Sequence, residues 1–84
     1  MNKELIQYVR DENGKPFACF VGKDSNHIGW SMCSRKDVFD RKKGRMIAEG
    51  RASKGLTHNI IRVHPRIKNE FEKFVDRCKK YYKK

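Results

Sequence analysis

Three cysteines, Cys19, Cys33 and Cys78, and three histidines, His27, His58 and His64, are the thiol and imidazole side chains from which a metal site or an activated nucleophile could be assembled. Their spacing argues against both roles. There is no CxxC pair, no two cysteines fall at zinc-finger spacing, and an odd cysteine count does not build a disulfide framework. Each cysteine reads as a reduced, small, buried hydrophobe. General acid-base or metal-assisted chemistry needs convergent carboxylates, histidines or an activated nucleophile in a water-excluding pocket, which a chain this short does not readily hide. Glycine-rich phosphate loops are also missing. No catalytic residue, metal or cofactor is therefore expected.

What remains is electrostatic chemistry. The 84 residues carry 21 Lys and Arg against 10 Asp and Glu, a net charge of +11. The excess is unevenly placed: residues 1–33 hold four of each sign, and residues 34–84 hold seventeen basic and six acidic side chains. Two segments are dense, residues 35–54 with eight basic against three acidic and residues 77–84 with five against none. Such segregation points to a polyanionic partner. The primary patch is expected at Arg35, Lys36, Arg41, Lys42, Lys43 and Arg45, with Arg77, Lys80 and Lys84 as a secondary one. Nucleic acid, DNA favoured over RNA, accounts for the charge with the fewest assumptions; contacts to phosphates would give affinity with little sequence preference. The alternative is an inhibitor or adaptor whose basic face docks on an acidic protein.

The elements that must position these residues follow from composition and period. A chain of 84 residues makes one domain, 1–84, and 37% hydrophobic residues, with five Phe, three Tyr and one Trp, require a compact core. The apolar stretches are far shorter than the roughly 20 residues a bilayer crossing needs, and the first residues lack a signal-peptide core, so a cytoplasmic location without a membrane partner is expected.

Residues 1–33 read as a β hairpin and meander. Leu5 to Arg10 and Phe17 to Val21 flank the turn signal Asn13-Gly14. Ile28, Trp30 and Met32 then alternate with Gly29, Ser31 and Cys33, separating a bulky face from a small one. Trp30 could stack on a base, but its place on the bulky face favours a core anchor.

Residues 34–84 read as basic and mainly helical. Asp37 or Asp40 can cap a helix running through Arg41 to Ala52, with Gly55 as a stop signal. Gly44, Ile47, Ala48 and Arg51 share one face, and Arg41, Lys42 and Arg45, with Lys43 beside them, look to solvent. Positive charge at the start of a helix opposes the macrodipole, so folding alone does not ask for it. Leu56 to Val63 has enough Ile and Val for an edge strand but not enough to decide between strand and loop. Pro65 suits the first turn of a last helix, in which Ile67, Phe71, Phe74, Val75, Cys78 and Tyr82 fall on one face. The expected class is α+β, an antiparallel sheet of three or four strands with two helices packed mainly on one face. Trp30, Ile47, Phe71 and Phe74 are expected to be mutually buried.

The patches Gly29-Trp30-Ser31-Met32-Cys33, Asp37-Val38-Phe39-Asp40, Gly44 with Ile47-Ala48-Glu49-Gly50-Arg51-Ala52, and Phe71 to Arg77 before Tyr81-Tyr82 carry a resemblance. In this order they resemble small uncharacterised accessory proteins of tailed bacteriophages, over residues 28–84. The resemblance implies a setting, the bacterial host cytoplasm during infection, where small proteins of that kind bind DNA or redirect a host enzyme. It implies no chemistry. His58-Asn59 and His64 share residue types with ββα-metal nucleases, but no metal-ligand spacing or second motif supports that comparison.

Overall fold

A computed structural model describes residues 3–33 and 38–83. The order is strand β1 (Leu5–Arg10), β2 (Pro16–Asp24), β3 (His27–Met32), helix α1 (Arg41–Ala52), α2 (Leu56–Arg62), a 3-10 turn (Pro65–Ile67), and α3 (Lys68–Tyr81). The strands form one antiparallel sheet in the order β1-β2-β3. The class is α+β.

The β1–β2 turn is built by Asp11, whose carboxylate accepts the backbone N–H groups of Asn13 and Lys15, both at 2.9 Å. Gly14 takes φ +81°, which a side chain would resist. Across β2, Tyr8 pairs with Cys19, which pairs in turn with Ser31, and Gln7 pairs with Phe20, which pairs with Trp30. Ala18 to Val21 in β2 are wholly buried because this central strand is covered on both sides.

That coverage corrects the expected layering: the helices do not pack mainly on one face. On one side Ala18, Phe20 and Ile28 meet Ile67, Phe71, Phe74, Val75 and Cys78 from the 3-10 turn and α3. The rings of Phe71 and Phe74 stand 5.3 and 5.4 Å from that of Phe20. On the other side Cys19 and Val21 meet Ala48 of α1, flanked by Ile6, Tyr8 and Phe39. The small face of β3 makes this second layer possible. A Cβ on Gly29 would collide with the backbone of Ala48 and Ala52, and the Ser31 hydroxyl donates to the Gly44 carbonyl at 2.8 Å. Helix α1 therefore buries Gly44, Ala48 and Ala52, one residue per turn. Ile47 lies beside this stripe and is 41% exposed, so it does not join Phe71 and Phe74, which are buried on the opposite side.

Residues 56–62 form helix α2, neither strand nor loop, and the sheet has three strands among the described residues. Two edge carbonyls of β3 find donors without a fourth strand. These outward carbonyls, at Ile28 and Trp30, accept from the Asn59 Nδ2 amide at 2.8 Å and the Arg51 Nη1 at 3.0 Å. Side chains thus cover an edge that would otherwise present unpaired backbone groups. Gly55, at φ +99°, separates α1 from α2. At the far end, the Tyr82 hydroxyl lies 2.6 and 2.7 Å from the Lys3 and Gly22 carbonyls, tying the end of α3 to β2 and to the segment that precedes β1.

Candidate functional site

Asp40 caps α1, its carboxylate accepting the Lys43 N–H at 3.2 Å. The first turn that follows contains no acidic residue, and Arg41, Lys42 and Lys43 are exposed. Helical spacing sends these side chains in different directions. Arg41 lies toward β1, its guanidinium 5.5 Å from the centre of the Tyr8 ring. Arg45 follows it and is compensated within the molecule: Nε donates to Glu49 Oε1 at 2.9 Å, and Nη2 reaches Glu4 Oε1 at 3.4 Å. Hydrogen bonds to Glu49 and then Glu4 hold its pKa above the ordinary value. Lys42 and Lys43, by contrast, make no ion pair with a carboxylate among the described residues. They flank an apolar depression with Met46 and Ile47, and Val38 beside it is 95% exposed.

Among the described residues, the basic side chains at the start of α1 and those on α3 lie on different faces of the sheet. Arg77 lies on α3, against the opposite face of the sheet, where Nη1 donates to Gln7 Oε1 at 3.3 Å, and Lys80 is exposed on the same helix. Arg35, Lys36 and Lys84, and the alternative cap Asp37, lie outside the described residues. Cys19 and Cys78 are buried on opposite faces, and burial pushes each thiol up to about 11. Among the described residues no group of three His, Cys, Asp or Glu side chains is arranged to hold a metal ion, and no helix is long and apolar enough to cross a membrane.

One basic cluster has no counterpart among the residues expected from sequence. A cleft of about 510 Å³ at the β3 edge is lined by Trp30, Arg51, Lys54, His58, Asn59 and Arg62. The Arg51 guanidinium carbon sits 4.5 Å from the centre of the Trp30 ring. The Trp30 indole N–H donates to the Asn59 carbonyl at 3.1 Å, and Asn59 Nδ2 also donates to the Arg51 carbonyl at 2.7 Å. Trp30 consequently serves as a core anchor on one side and a cleft wall on the other. The signal was periodic: Lys54, His58 and Arg62 fall at i, i+4 and i+8. It becomes legible only once residues 56–62 are known to be helical.

Comparison of the chain with protein-family models, with curated proteins and with solved structures finds no match.

Proposed function

We propose that this chain binds nucleic acid, DNA in preference to RNA, through Lys and Arg contacts to phosphates and largely without sequence preference. The observation that carries the reading is the start of α1, where Arg41, Lys42 and Lys43 are exposed in a turn free of acidic residues. Positive charge there works against the macrodipole, so it serves something other than the helix. Arg45, compensated by Glu49 and Glu4, contributes less to such a surface than its place in the sequence suggests. Arg77 and Lys80 form a separate basic stripe on the far face. The protein acts as a binding module and not as an enzyme, in the cytoplasm of a bacterial host if the phage resemblance holds.

A second reading is favoured by one observation. Val38, Met46 and Ile47 are exposed next to Lys42 and Lys43, and a mixed apolar and basic surface suits an acidic host protein that the chain would inhibit or redirect. A pull-down from bacterial lysate with and without nuclease separates the two. Captured material that disappears on digestion supports nucleic-acid binding; one stoichiometric protein retained after digestion supports the inhibitor and overturns the first reading.

A further inference from the structure

The cleft at the β3 edge differs from the start of α1 in having walls. Its cations come from α1, the turn after it and α2, and converge beside an aromatic ring. Arg51, on α1, is held by the Trp30 carbonyl and by stacking on the Trp30 indole, so its fork is oriented before any ligand arrives. Lys54 follows α1, and His58 and Arg62 stand one turn apart on α2. None of Arg51, Lys54 and Arg62 pairs with a carboxylate among the described residues. Three cations with a ring nitrogen beside them exceed the single charge of a phosphodiester. They match a phosphate monoester, which carries up to about two negative charges near neutral pH. The volume, about 510 Å³, falls within the range of ordinary ligand pockets and leaves room for more than the phosphate.

We propose that this cleft is a binding site for a nucleotide bearing a phosphate monoester, with Arg51, Lys54 and Arg62 on the phosphate and the Trp30–Arg51 stack beside the base. A flat guanidinium on an indole offers a π surface to a base of any identity, so the site selects the terminal phosphate and not the sequence. Such a group is found on a free nucleoside 5′-monophosphate and on the 5′ end of a phosphorylated strand. The site is independent of the α1 surface and stands whether or not that surface binds nucleic acid.

Trp30 is the sole tryptophan, so its fluorescence reports directly on the cleft. The full chain is titrated with adenosine, AMP and inorganic phosphate, and with one short oligonucleotide carrying either a 5′-phosphate or a 5′-hydroxyl. AMP should give a saturable change and adenosine none. Lys54→Gln and Arg62→Gln, both at exposed positions, should each weaken AMP about tenfold, the effect expected for removing one charge-assisted hydrogen bond. Lys42→Gln/Lys43→Gln should leave the AMP response unchanged, which separates this site from the α1 surface. Tenfold preference for the phosphorylated oligonucleotide assigns the site to strand ends, and saturation by AMP without that preference assigns it to free nucleotides. The proposal is overturned if neither AMP nor the phosphorylated strand changes Trp30 fluorescence saturably, if adenosine matches AMP, or if both Gln variants keep wild-type affinity.

Discussion

The start of α1 and the cleft at the β3 edge are both basic, yet they are built in opposite ways. At the start of α1 the charges are consecutive in sequence and diverge in space: Arg41 leans on Tyr8, Arg45 pairs with Glu49 and Glu4, and Lys42 and Lys43 face solvent. At the cleft the charges are scattered along the sequence and converge, because Asn59 and Arg51 cover the edge of β3. Density along a chain measures how strongly a segment attracts a polyanion. Convergence determines whether one anionic group can be held.

Both regions rest on one sheet, so the largest effect should remove them together. Phe71→Ala opens a cavity between α3 and Phe20, on the face away from α1, and should cost about 3–5 kcal/mol. In a domain of this size that is a large share of the total stability. Denaturant unfolding followed by far-UV circular dichroism and by Trp30 fluorescence should shift to the same lower midpoint. Transitions that separate would mean that the two layers fold as independent units.

The next effect should fall mainly on the cleft. Asn59→Ala deletes the amide that serves the Ile28 and Arg51 carbonyls; the Arg51 carbonyl keeps the Lys54 N–H, but the buried Ile28 carbonyl loses its side-chain donor, at a cost of about 1–3 kcal/mol. Arg51 and Trp30 would lose their fixed arrangement while Asp40 still caps α1. Folded Asn59→Ala should therefore lose AMP binding and keep duplex binding; equal weakening of both would show that the two regions are one site.

The two layers should also differ by only a little at high pH. Burial raises the Cys19 thiol, beneath α1, and the Cys78 thiol, beneath α3, to about 11 from an ordinary value of 9.0. Well below pH 9 both are protonated in the folded and unfolded chain, so they add no pH dependence. Between about 9 and 11 the unfolded chain loses these protons first, and stability falls as pH rises, by up to about 1.4 kcal/mol per pH unit for each thiol. Cys19→Ala and Cys78→Ala should each make this decline shallower by a similar amount. A decline as steep as in wild type would mean that the thiols are not desolvated.

Much of the fold was legible in residue periodicity. The alternation of Ile28, Trp30 and Met32 with Gly29 and Ser31 marked both faces of β3, Asp37 or Asp40 marked the start of α1, and Ile67 to Tyr82 marked the buried side of α3. The two-sided coverage was not read from sequence, although the unbroken apolar run from Phe17 to Val21 is the pattern of a strand buried on both faces. Residues 56–62 misled because Ile60 and Ile61 favour strands locally. Their helix is decided by tertiary packing, Leu56 entering the core and Asn59 reaching β3. The basic cluster at the start of α1 could be found from composition, but the pairing of Arg45 with Glu4 spans most of the sheet-forming half and has no local signature. The cleft joins β3 to two helices, so it was hidden until their packing was known.

The most direct test of nucleic-acid binding is a titration of wild type and Lys42→Gln/Lys43→Gln with a random duplex and a single strand at two salt concentrations. Wild type should bind both, with log K falling as log salt rises. The variant should bind every sequence more weakly, with a duplex slope shallower by roughly 0.9 for each phosphate it no longer neutralises and stability unchanged or slightly raised. No binding by wild type at the lower salt concentration would contradict the account.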